Sequence, residues 1–103
     1  MKIVISGVGE MGSHLARMLS GNGHEITVID SDQKLLNEVD NLADLITIEG
    51  DTTAFAVLRK AGVRRCDLFI AVNHDENQNI LAAIMAKQLG DRKSTRLNSS
   101  HAT

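Results

Sequence analysis

Lys2-Ile3-Val4-Ile5-Ser6-Gly7-Val8-Gly9-Glu10-Met11-Gly12 is the stretch on which the fold turns. Ile3-Val4-Ile5 are β-branched and apolar, the make-up of a short buried strand. The strand runs into G-x-G-x-x-G, after which Met11, Leu15, Met18 and Leu19 recur at helical spacing. A lone glycine string is a weak signal. Between a strand and an amphipathic helix it reads as the phosphate loop of a dinucleotide-binding βαβ unit. Gly7 permits the tight turn, Gly9 lets backbone approach a pyrophosphate, and Gly12 lets the helix pack on the strand. The helix N-terminus then presents free N–H groups and partial positive charge to the phosphates. Val8, Glu10 and Met11 share that turn and belong to the same candidate contact set. The Glu10 carboxylate would repel a pyrophosphate unless it turns to solvent.

Outward from this unit, three more apolar runs follow: Ile26-Thr27-Val28-Ile29, Leu45-Ile46-Thr47-Ile48 and Leu68-Phe69-Ile70-Ala71-Val72. They lack polar alternation, as strands covered on both faces do. Helical patterns fill the gaps. Gly21 or Gly23 can stop the first helix. Ser31 can cap a second, bearing Leu35, Leu36 and Val39. Thr52 or Thr53 can open a third, with Phe55 and Leu58 inward and Gly62 as its stop. Asp75 with Gln78 resembles a capping box for a fourth, which runs through Ile80-Leu81-Ala82-Ala83-Ile84-Met85-Ala86 to Gly90. Its apolar arc is wider than one sheet face needs. The class is α/β, in the order βαβαβαβα. Right-handed crossovers then arrange the parallel strands 3-2-1-4.

This order places a crevice beyond the carboxyl ends of the strands, at the switch between strands 1 and 4. Asp30 ends the second strand. A carboxylate there accepts hydrogen bonds from ribose hydroxyls and repels a 2′-phosphate, which favours NAD or an adenine nucleotide over NADP. Ser31 stands beside it. Gly50-Asp51-Thr52 ends the third strand on the adenine side, although Asp51 reads equally well as a helix cap. Asn73 and His74 end the fourth strand and face the phosphates or the nicotinamide end, with a solvent-exposed loop role as the plainer alternative for His74.

Composition narrows the function classes. The chain has 103 residues, enough for one small domain, and is 43% hydrophobic with 8 glycines, a globular balance. No segment reads as a signal peptide or approaches the ~18 apolar residues of a membrane span, so a cytoplasmic setting without membrane insertion is expected. One cysteine forms no internal disulfide. Cys66 reads as a small structural thiol at a strand entrance. His14, His24, His74 and His101 show no metal-ligand spacing. With 2% aromatics and a net charge of −2, there is neither a stacking platform nor a basic footprint for nucleic acid. No nucleophile–base pair suggests covalent catalysis. Residues 91–103, DRKSTRLNSSHAT, hold only Leu97 and Ala102 as apolar side chains. They read as a disordered, non-native tail on a domain spanning residues 1–90.

Taken together, the glycine loop, Asp30, Gly50-Asp51-Thr52 and Ala71-Val72-Asn73-His74-Asp75-Glu76-Asn77 resemble the N-terminal nucleotide-binding half of Trk-type potassium-uptake regulators, the TrkA-N, KTN or RCK domain. The resemblance implies a Rossmann-like three-layer fold and NAD(H), ATP or ADP as ligand. It also implies a homodimer or larger ring that regulates a membrane potassium transporter from its cytoplasmic side. Carried over, the nucleotide contacts are Gly7, Gly9, Gly12, Asp30, Asp51, Thr52 and Asn73, where many members have Thr at the last position. The family continues with fifth and sixth strands, which are expected to be missing here, leaving the fourth strand as an open edge. The main competing reading is the cofactor half of an NAD-dependent oxidoreductase. Another is a nucleotide-binding module on a cation:proton antiporter or potassium channel.

Overall fold

A computed structural model describes residues 1–90 and the backbone of residues 96–99. β1 (Lys2–Ser6), β2 (Glu25–Asp30), β3 (Ile46–Glu49) and β4 (Leu68–Ala71) alternate with α1 (Glu10–Ser20), α2 (Gln33–Leu42), α3 (Phe55–Lys60) and α4 (Glu76–Leu89). A 3-10 turn at Val63–Arg65 leads into β4. All pairings are parallel, and the order β3-β2-β1-β4 is the one the right-handed crossovers predict.

The sheet separates two cores. Ile3, Ile5, Ile26, Val28 and Ile70 face α1 and α2, where they meet Ala16, Leu36 and Val39. Val4, Ile29, Phe69 and Ala71 face the other way, onto Leu58, Val63, Ala82, Met85 and Ala86. Alternate residues of one strand thus enter opposite layers. This is why Ile3-Val4-Ile5 of β1 and Val28-Ile29 of β2 are apolar at consecutive positions: neither face of the sheet meets water there.

Several local expectations shift. Asp32, not Ser31, caps α2, accepting from the Lys34 amide at 2.9 Å. β2 ends at Asp30 as expected, and Ser31 lies in the turn before the cap. α3 begins after Ala54 with no side-chain cap, rather than at Thr52 or Thr53. Phe55 is 39% exposed rather than inward, whereas Leu58 is buried. Asp75 caps α4 as expected, its carboxylate accepting from the Asn77 amide at 2.9 Å. Met11 and Met18 are exposed, and the closest approach of α1 to the sheet is made by Gly12 and Ala16.

The sheet also continues past β4. β5 (Arg96–Ser99) pairs with it in parallel, Leu68 opposite Arg96 and Ala71 opposite Ser99. Within residues 96–99 this corrects the disordered tail expected from composition and the missing fifth strand expected from the family resemblance; residues 91–95 and 100–103 lie outside the described residues. The physical reason is that ladder bonds join backbone to backbone. A polar segment can complete an edge whose N–H and C=O groups already point outward.

Cys66 is buried in the α3–α4 core. Burial, reinforced by the neighbouring Asp67 carboxylate, pushes its thiol up to about 11. Because the folded state favours the neutral thiol, its stabilising contribution is complete below the ordinary thiol range and is lost as pH rises through 11. At pH 8 a maleimide should label Cys66 only at the rate of unfolding; rapid labelling of the native chain would contradict this placement.

Candidate functional site

The ends of β1, β2, β3 and β4 surround a crevice of about 260 Å3. Gly7 and Gly9 form its floor, Asp30, Ser31, Asp32 and Leu35 one wall, and Asn73, His74 and Gln78 the other, with Gly50 and Thr52 at the back. A second hollow of about 290 Å3 lies on the α4 side of the glycine loop and shares Gly9, Asn73 and His74 with the first. Glu10, Met11, Val72, Glu76 and Asn79 complete it.

The three glycines differ in what holds them. Gly7 has φ +100°, and a Cβ there would lie 2.8 Å from the Asn73 backbone. A Cβ on Gly12 would lie 1.8 Å from the Gly7 carbonyl oxygen. These two are required by the chain itself. Gly9 is not: a Cβ there would meet nothing within 4 Å. Its bareness opens onto the crevice. Gly9 is also the N-cap of α1 and makes no side-chain cap bond. The first-turn amides of α1 therefore receive no side-chain oxygen, unlike those of α2 and α4, and an anion is their natural acceptor.

Asp30 is half-buried at the end of β2. Its Oδ2 accepts from the Val8 amide at 2.9 Å and its Oδ1 from the Asp32 amide at 2.9 Å. The carboxylate thus ties the glycine loop to the β2–α2 turn. Each oxygen keeps lone-pair capacity for a hydroxyl donor. No Lys or Arg lines either hollow. A phosphate here would be held by backbone amides and the α1 dipole, while Asp30 and Asp32 disfavour further negative charge at the β2 wall.

Beneath the crevice runs a polar chain. Thr52 Oγ1 hydrogen-bonds Ser6 Oγ, which accepts from Asn73 Nδ2 at 2.8 Å. Asn73 is in turn held by Asn79 of α4. Ser6, Thr52 and Asn79 are buried. Among the described residues, no group of three His, Cys, Asp or Glu is placed to hold a metal ion, and no helix is long and apolar enough to cross a membrane.

The TrkA-N domain model matches residues 3–102. The chain belongs to the TrkA-N family. A Trk system potassium uptake protein TrkA homolog from Archaeoglobus fulgidus is 41% identical over 90 residues, which is 87% of this chain but 20% of that protein. The chain thus spans about a fifth of that relative's length. Among solved structures, the TrkA-N domain of the inner membrane protein ybaL from Escherichia coli superposes with a TM-score of 0.86 at 13% identity, covering 99% of this chain and 73% of that one. The GsuK channel bound to NAD superposes with a TM-score of 0.82 at 18% identity, covering 99% of this chain and 18% of that one. At such identities the structural likeness speaks for the fold.

Most of the residues singled out in this TrkA-N chain converge on the two hollows: Gly7, Gly9, Asp30, Ser31, Thr52, Asn73 and His74 on the first, Glu10 and Met11 on the second. Val8 faces the core and donates its amide to Asp30, and Gly12 sits in the first turn of α1, packed on the Gly7 carbonyl. Asp51 lines neither hollow. Its exposed carboxylate accepts from the Thr53 hydroxyl at 2.6 Å and the Thr53 amide at 2.8 Å, bonds that hold it below the usual carboxylate range. It does not cap α3, whose N-cap is Ala54; it braces the β3–α3 turn next to Thr52 of the back wall. Sequence reasoning passed over Ser6, Leu35, Gln78 and Asn79. Asn79 could have been found from its spacing, since it shares the sheet-facing stripe of α4 with Ala82 and Ala86.

Proposed function

We propose that the chain is the nucleotide-binding unit of a cytoplasmic regulatory subunit of a Trk-type potassium-uptake system, taking NAD(H), or ATP or ADP, in the crevice. The observation that carries this is the Asp30 carboxylate bonded to the glycine loop beside the open face of Gly9. An adenosine ribose fits against Asp30, with the base over Leu35 and the diphosphate over Gly9 and the α1 amides. The second hollow leaves room for the other half of a dinucleotide. The proposed action is differential binding rather than catalysis: one nucleotide favours one arrangement of the assembly, and a coupling of about 1–3 kcal/mol suffices to bias a transporter. The subunit would then sit at the inner face of the membrane through its transporter, with no span of its own.

Calorimetric titration with NADH, NAD+, NADPH, ATP and ADP tests this. NADH or an adenine nucleotide should bind, and NADPH should bind more weakly than NADH. If none of the five binds, the reading fails.

We also propose that the chain self-associates through α4. Ile80, Leu81 and Ile84 are 47%, 48% and 52% exposed along it, a larger apolar stripe than one solvated helix ordinarily carries. Solution scattering should show a dimer at high concentration, and Ile84→Glu should return it to a monomer. A monodisperse monomer of the unmodified chain would refute this assembly.

A further inference from the structure

We propose that Asn79 is a positioning residue that sets the shape of the crevice from behind, through Asn73. It is 0% exposed, and it is the one polar residue among the buried residues of α4, with Ala82, Met85 and Ala86. A buried amide is unfavourable unless its donors and acceptor are satisfied. All three side-chain hydrogen bonds of Asn79 go to a single partner. Its Oδ1 accepts from the Asn73 amide at 2.6 Å and from Asn73 Nδ2 at 3.0 Å, and its Nδ2 donates to the Asn73 carbonyl at 3.0 Å. The backbone and side chain of Asn73 are therefore held together by one side chain from the helix.

What Asn73 touches makes this more than a helix fastening. Its Cα and N lie 2.8 Å from where a Gly7 Cβ would be, so the β4–α4 turn rests directly on the glycine loop. Its Nδ2 also donates to Ser6 Oγ, and Ser6 continues the chain to Thr52 in the back wall. A displacement of Asn73 therefore reaches the floor through Gly7 and the back wall through Thr52. Neither Ser6 nor Thr52 carries charge, so the network can fix distances without competing for the phosphates. The ligand arm of the test below rests on the nucleotide reading of the crevice; the exchange arm does not.

The test compares Asn79→Ala with Val63→Ala, a core truncation at the opposite end of β4 that lowers stability without touching the network. Asn79→Ser, which keeps a hydroxyl acceptor, serves if Asn79→Ala fails to fold. Amide hydrogen exchange is read at Gly7 and Val8, whose amides are bonded to the Ile29 carbonyl and to Asp30. NADH and ATP binding is read by calorimetry. The Asn79 variant should exchange about tenfold faster at Gly7 and Val8 and bind about tenfold more weakly, while Val63→Ala changes neither beyond about twofold. If only the Asn73 amide loses protection, or if Val63→Ala has the same effects, Asn79 merely fastens its own turn and the proposal is overturned. If the unmodified chain binds none of the five nucleotides, the proposed function falls, and the exchange arm alone decides the role of Asn79.

Discussion

Gly12→Val should lower the melting temperature by about 10–25 °C, corresponding to roughly 3 kcal/mol or more in a domain of this size. The clash is with backbone: the first added carbon would sit 1.8 Å from the Gly7 carbonyl oxygen. No rotamer relieves it. Either α1 lifts from β1, opening the layer that buries Ala16 against Ile3 and Ile5, or the glycine loop is pushed out of its turn. Gly9→Ala is the informative contrast. Its backbone has φ −66°, which any residue adopts, and its Cβ would meet nothing. That variant should melt close to the unmodified protein and yet lose nucleotide affinity, because the new methyl points to where the diphosphate is proposed to lie. Thermal melts and titrations of the two variants separate folding from binding. Equal stability of Gly12→Val would contradict the packing described above.

Asp30→Ala should weaken NADH binding at least about tenfold, since hydrogen bonds to a charged acceptor contribute ~1.5–3 kcal/mol. It should also destabilise the unliganded chain, because the Val8 and Asp32 amides lose their common acceptor. Asp30→Asn separates the two effects. An amide oxygen can still accept from one of those N–H groups, but the negative charge is gone. NADPH should therefore gain on NADH in the Asn variant, as repulsion of the 2′-phosphate is relieved. If NADPH matches NADH on the unmodified chain, Asp30 does not read the ribose.

The strand order was legible because apolar runs and helical patterns alternate without exception from Ile3 to Ala86. The glycine loop was legible because Ile3-Val4-Ile5 and Leu15 flank it with the right periods. What escaped was decided by three-dimensional placement. Ser31 and Asp32 are both good caps, and only the point at which β2 stops selects Asp32. Phe55 looks like a core residue, but α3 starts so late that Phe55 stands on its outer side. Ser6 and Asn79 are polar residues inside apolar elements. The spacing of α4 marks Asn79 as buried, but Asn73, the partner that both residues share, is found only in three dimensions. β5 escaped because its pairing rests on the neighbouring backbone, not on its own composition.

β1 is synthesised first yet occupies the middle of the five-stranded sheet. Its Ile3 pairs with Ile26 on one side and Leu68 on the other. As the chain leaves the ribosome, β1, β2 and β3 can zip together, while the remaining flank of β1 stays bare until residue 71 has emerged. Parallel pairing across such separations is slow, and a half-built sheet with an apolar flank is prone to stray association. Translation speed over the segment between β3 and β4 therefore sets how long the nascent protein is vulnerable.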